Sequence, residues 1–281
     1  MGDAADRHPA SRELAFLPRL RPGERFSHVS AARLWGFTLP LAADARVHTT
    51  VPLTQAPDRR RRVGVVGHIG TGEIASRGRA PVSDPVRTFV ELGTMLALDD
   101  LVAVADWLVL TPRYARPQDP RPLLRLAELR VQVAAMRARG VRRARIAATL
   151  AREGAESPME TALRLLLLRH GCPEPELGIP LHDEQGMIGW FDMGWPALRI
   201  AVEYDGDQHR TSVAQYEKDI MRFDRAAAAG WRVVRVRSGG MKRNGRLETV
   251  ARVRAAFAAA HGSVTTGGAL PAAARLQSPV H

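Results

Sequence analysis

Three acidic side chains in MIGWFDMGWPALRIAVEYDGDQH, residues 187–209, are spaced as ligands for a metal at the rim of a sheet. Asp192 closes one apolar alternating run. Glu203 and Asp205 close the next, after a turn at Gly194–Pro196 short enough to lay the two strands side by side. Side chains alternate along a strand, so Glu203 and Asp205 share one face while Ile200, Val202 and Tyr204 share the other. Carboxylates at matched depth suit magnesium or manganese, which keep several waters and accept phosphate oxygens. Such an ion polarises a phosphodiester, lowers the pKa of a bound water and stabilises the leaving oxygen. Acids at strand ends also cap turns in solvent. An acid on each of two neighbouring strands, with a third two residues on, favours the metal reading.

The elements around the acids must hold them there. Strands are expected at about 187–193 and 198–205, a helix over 214–229 stopped by Gly230, a strand in WRVVRVR and a helix over 246–260. Upstream, ESPMETALRLLLLRHG starts a helix with Ser157 as N-cap, Pro158 at its first position and Glu160 at its third. That is a capping box, so Glu160 reads equally as a cap and as a supporting acid of the metal site. On the 214–229 helix, Tyr216, Ile220, Phe223 and Ala227 form the expected core stripe. Lys218, Arg222 and Arg225 fall opposite, either as a basic stripe holding a phosphate backbone or as a solvated face with Glu217 and Asp224 as neutralisers.

Residues 1–25 read as irregular. A helix is expected in SHVSAARLWG, then paired strands in ARVHTTVPL and RRVGVVGHIG, then a helix capped by Ser83 or Asp84 and a second one ending at Val109. Four prolines in residues 111–122 mark a boundary, so residues 111–154 read as a Pro-rich linker followed by two basic helices separated at Gly140. GHIGTGE lacks the Lys-Ser/Thr of a P-loop and reads as a turn. His170, Cys172 and His182 offer too few strong ligands to specify zinc. Residues 262–281 read as a disordered tail.

Composition narrows the setting. The 281 residues carry 41 Lys+Arg against 29 Asp+Glu, a formal charge of +12, which points to phosphate backbones and DNA as partner. The single cysteine rules out a disulfide framework. No apolar run approaches the ~18 residues of a membrane span, and the opening MGDAADRHPA lacks a signal-peptide pattern. The expected location is the cytoplasm, with no membrane partner.

These residues carry a resemblance. The order Glu160, Asp192, Glu203-x-Asp205, followed by Gly206 and His209, resembles the very-short-patch-repair-like branch of the PD-(D/E)XK nucleases. AESPMET, FDMGWP, AVEYDGDQH and GWRVVRV are similar to a group of actinobacterial-type proteins with this endonuclease-like domain, covering about residues 155–261. Over residues 26–110, SHVSAARLWGFTLP and SDPVRTFVELG resemble the central part of AbiEi-type antitoxin proteins. The resemblance implies an α/β fold, with a restriction-endonuclease-like mixed sheet flanked by helices in the C-terminal domain and a smaller α+β region before it. It implies a Mg2+- or Mn2+-dependent DNA endonuclease in a repair, defence or toxin–antitoxin setting, with DNA and a toxin or regulatory protein as partners. Asp192 and Glu203 would be the metal ligands and Glu160 the supporting acid. Asp205 stands where the family has a lysine. Asp205 adds to metal binding, and His209, Lys218 or Arg222 takes the electrophilic role. The same substitution opens a second reading, a non-catalytic DNA-binding regulator that keeps the nuclease fold.

Overall fold

The computed structural model describes residues 10–55, 64–114, 116–117, 119–206 and 213–264, with no side chains for 213–217 and 261–264. The chain divides into two units, Met1–Ala162 and Leu163–His281. Each contains a mixed sheet flanked by helices, the mixed α/β class expected.

In the first unit the elements are α1 Ser11–Phe16, β1 Arg25–Phe26, α2 His28–Trp35, β2 Val47–Val51, β3 Val65–Ile69, β4 Ile74–Arg77, β5 Ala80–Ser83, α3 Pro85–Leu92, α4 Leu98–Val109, α5 Leu126–Ala135 and α6 Val141–Leu150. The sheet order is β3-β2-β1-β5-β4. The β-branched run of β2 is buried at all five positions, as an interior strand requires. Its expected partner β3 is beside it, but in parallel register with Val47 opposite Val65, an arrangement no tight hairpin makes. Asp84 caps α3 by accepting the Arg87 N–H at 2.9 Å, with Pro85 at the first position.

One expectation for this unit needs correction. Residues 11–16 are helical rather than irregular. Glu13 ties α1 down by accepting from Ser30 Oγ at 2.7 Å and Arg33 Nη1 at 2.9 Å, a tertiary contact that no local pattern announces. The two helices expected after residues 111–122 are α5 and α6, separated at Gly140; they pack on each other and on α3, and α6 also packs on α4. Gly140 sits at φ 87°, and a Cβ there would lie 2.2 Å from Val90 O, so the two backbones meet where only glycine fits. The basic residues of these helices are largely used internally. Arg130 donates to Ala148 O at 3.0 Å and to Thr149 O and Ala151 O at 3.4 Å, at the end of α6. Arg145 returns the favour at the end of α5, to Ala134 O at 2.9 Å and Met136 O at 3.0 Å. Each guanidinium satisfies carbonyls that a helix end leaves open.

α7, Pro158–Arg169, straddles the division. The second unit continues with β6 Glu176–Asp183, β7 Gly186–Trp195, β8 Ile200–Asp205, α8 Val213–Ala228, β9 Arg232–Arg237, α9 Ser238–Met241 and α10 Arg246–Val264. The sheet order is β6-β7-β8-β9. The first two pairings are antiparallel, and β8 and β9 run parallel on either side of the α8 crossover. β6 was not expected from the sequence. Pro180 argues against a strand, yet Pro is tolerated on an edge, which is where β6 lies. α8 packs on the sheet through Ala226 and Phe223, over Ile179, Leu181, Ile188, Phe191 and Ala201. The expected stripe is therefore displaced, with Ile220 40% exposed and Ala227 exposed. The side chain of Tyr216, His209 and residues 265–281 lie outside what is described.

Candidate functional site

The β7–β8 ladder runs Trp195–Ile200, Gly194–Ala201, Met193–Val202 and stops. A Cβ on Gly194 would fall 2.3 Å from Ile200 O, so the strands are pressed close just before they part. At the next rung the acids take over from the main chain. The Asp192 N–H donates to Glu203 Oε2 at 3.2 Å, and the Tyr204 N–H donates to Asp192 Oδ2 at 2.6 Å. Two carboxylates are thereby fixed opposite each other where the sheet opens, and each satisfies a backbone donor of the other's neighbourhood.

Arginines complete the centre. Arg222 Nη2 of α8 bonds Glu203 Oε1 at 2.5 Å, and its Nη1 bonds Trp190 O at 2.8 Å. Its guanidinium lies over the rings of Phe191 (4.6 Å) and Phe223 (5.0 Å). Arg235 of β9 donates to Asp205 Oδ2 at 2.9 Å and stacks 4.1 Å from Phe223. The Nε atoms of both arginines are buried without a hydrogen-bond partner. Burial pushes the Glu203 carboxyl above its ordinary value, and the Arg222 charge pulls against that shift.

The remaining site candidates separate. Lys218 is exposed on α8. Arg225 clips α8 to β6 with a two-pronged bond to Asp183, at 2.8 and 2.7 Å. The expected phosphate-holding stripe Lys218–Arg222–Arg225 is thus not one surface: Arg222 turns in to the acids and Arg225 to the sheet edge. Asp205 pairs with Arg235. Glu160, on the first unit's side of the division, behaves as a cap: its N–H donates to Ser157 Oγ at 3.2 Å and its Oε2 accepts the Glu156 N–H at 2.8 Å. Arg235 was missed, although its alternation with Val234 and Val236 in a strand beside the acids was a usable signal.

Sequence reasoning also missed a cluster in the first unit. His28, His48 and His68 bring one ring nitrogen each within 4.8 Å of one another, the one such trio of potential metal ligands among the described residues. His48 and His68 lie on adjacent strands, since Thr50 is opposite His68, and His48 Nδ1 is 3.0 Å from His68 Nε2. The His28 ring stacks on His68 at 3.8 Å and its Nδ1 is 3.0 Å from Ser27 Oγ. Burial first, then the neighbouring imidazoles, takes the His28 pKa down to about 2; burial takes His68 down to about 4 and lowers His48. Spaced twenty residues apart on three elements, these histidines leave no local motif.

The chain is 30% identical over 222 residues to "Uncharacterized protein MT2308" of Mycobacterium tuberculosis strain CDC 1551 / Oshkosh, a match covering 78% of this chain and 76% of the relative. The same figures hold for "Uncharacterized protein Rv2248" of strain ATCC 25618 / H37Rv. No family model matches. No solved structure matches.

Proposed function

We propose that this chain, which belongs to one family with the two Mycobacterium tuberculosis proteins, is a metal-dependent endonuclease acting on DNA in the cytoplasm. The observation that carries this reading is the Asp192–Glu203 pair, held by reciprocal side-chain-to-backbone bonds where β7 and β8 part. The donor set suits a hard divalent ion such as Mg2+ or Mn2+: oxygen ligands only, one of them a carboxylate whose burial calls for a compensating positive charge. Asp192 and Glu203 would hold the ion. Bound there, it would supply an activated water and a counter-charge for the scissile phosphate.

The chain's own groups do the rest. Arg222, fixed between Glu203 and Trp190 O, presents a cation beside the acids where charge develops on the phosphate. Asp205 is a positioning residue that aims Arg235, so a guanidinium would stand in for the lysine of the nucleases that the sequence resembles. The basic charge of the chain, +12, favours a polyanionic substrate. A DNA repair, defence or toxin–antitoxin setting, with a toxin or regulatory protein as partner, is part of this reading. A second reading, a non-catalytic DNA-binding regulator on the same scaffold, draws on the arginine already bound to each of Glu203 and Asp205.

The test is nicking of supercoiled plasmid by the purified chain with Mg2+ or Mn2+. The endonuclease nicks, and Asp192→Asn and Glu203→Gln each abolish nicking while still binding DNA. Salt-sensitive DNA binding without nicking under either ion selects the second reading.

A further inference from the structure

Buried polar groups in a folded protein normally find hydrogen-bond partners, and a core with no further duty has little use for three imidazoles side by side. His28, His48 and His68 come from the start of α2, from the interior strand β2 and from β3, and the rigid β2–β3 register fixes two of them relative to each other. His28 is held at φ 52°, one of two non-glycine residues with positive φ among those described, and its N–H is anchored to Glu91 Oε2 at 3.0 Å. Backbone strain in a buried residue is retained where the surroundings over-determine it.

The partners of the rings sort their nitrogens. His48 Nε2 is buried and has no partner in hydrogen-bond geometry, although Asp44 Oδ2 is only 3.2 Å away. Asp44 is itself held by Arg46, through Nε at 3.0 Å and Nη2 at 2.6 Å. A carboxylate at one imidazole nitrogen is the arrangement that orients metal-binding histidines and raises their basicity. With the proton on Nε2, His48 Nδ1 carries the lone pair that a metal would take, and it faces His68 Nε2 at 3.0 Å. A tetrahedral centre with metal–nitrogen bonds of ~2.0–2.1 Å puts ligand nitrogens ~3.3 Å apart. That pair, at 3.0 Å, is already close to this spacing. The third nitrogen, on His28, lies within the 4.8 Å envelope, and its ring leaves the stack on His68 to close the set.

We propose that His28, His48 and His68 form a binding site for one borderline divalent transition ion of the zinc class, with Asp44 orienting His48. Three neutral nitrogen donors suit Zn2+, Co2+ or Ni2+ and not Mg2+ or Ca2+. The site is therefore chemically distinct from the carboxylate pair of the other unit. Three protein ligands leave the fourth position to water or an incoming group. His68, the less buried of the three, marks the side from which the ion enters.

The test uses the untagged 281-residue chain, stripped with a chelator and dialysed, then titrated with Zn2+ by calorimetry and with Co2+ by visible absorption. The expected result is one equivalent bound, with a cobalt spectrum of tetrahedral type. His48→Gln and His68→Gln should weaken Zn2+ binding at least a hundredfold. Asp44→Asn, which keeps all three ligands and the fold, should weaken it about tenfold. Asp192→Asn should leave it unchanged, which separates this site from the proposed nuclease centre. No saturable binding by the wild-type chain overturns the proposal. So does wild-type affinity in His48→Gln and His68→Gln proteins with native circular dichroism.

Discussion

The first unit buries three imidazoles against one another in their neutral form, while the second buries carboxylates and sets an arginine against each of Glu203 and Asp205. A neutral nitrogen cluster can receive a cation without giving up an existing ion pair. A buried carboxylate already bound to a guanidinium has to share or exchange that partner. On the two proposals above, the first arrangement would capture an ion, and the second would shift its charge balance when a phosphate arrives.

The largest effect should come from breaking the second arrangement. Arg222→Ala leaves Glu203 buried beside Asp192 without its counter-charge, and urea unfolding should show a loss of about 3–5 kcal/mol. Adding Glu203→Gln to that variant should restore part of it, the Trp190 O bond and the aromatic stack staying lost; if the double variant is no better than Arg222→Ala, the ion pair is not what holds the site. Next comes acid sensitivity of the first unit in metal-stripped protein. The His28 and His68 pKa values are lowered on folding, to about 2 and about 4 from 6.5. As pH falls below 6.5 the unfolded chain takes up protons that the native cluster refuses, so stability drops toward pH 4. The thermal midpoint should fall across that window, and less steeply in His68→Gln.

Glu203→Gln alone should cost less than half as much as Arg222→Ala, because Arg222 keeps Trp190 O and its aromatic stack. Glu203 has a raised folded pKa, so its contribution to stability is lost as pH rises above the unfolded value of 4.5. The glutamine variant should lack that decline in a pH series of unfolding midpoints. Smallest of all is Arg225→Ala, which removes an ion pair at the sheet edge. Its unfolding midpoint should stay near that of the wild type, which would confirm that the two arginines one turn apart on α8 play different parts.

How far the sequence could be read depended on whether the signal was local. The acid pair was legible because strand alternation and one short turn fix relative depth, and α8 and β9 appeared within a residue of their expected bounds. β6 was not, because an edge position overrides the usual objection to Pro180. The basic stripe misled for a reason a helical projection cannot show. Arg222 is long enough to fold over Phe191 and reach an acid on β8, so its angular position on α8 does not fix its partner. The basic faces of α5 and α6 misled likewise, with Arg130 and Arg145 turned to carbonyls at helix ends. The histidine cluster needed the parallel β2–β3 register, which alternation within each strand does not contain.

The reciprocal bonds at the parting of β7 and β8 also give the site a built-in spectroscopic handle. The amide protons of Asp192 and Tyr204 are bonded to the carboxylates of Glu203 and Asp192. Whatever draws those carboxylates away, such as an ion or a proton, breaks these two amide bonds. Their hydrogen-exchange rates and amide chemical shifts are therefore a two-residue gauge of site occupancy. The amides of Met193 and Val202 on the last intact rung serve as internal controls that stay protected throughout.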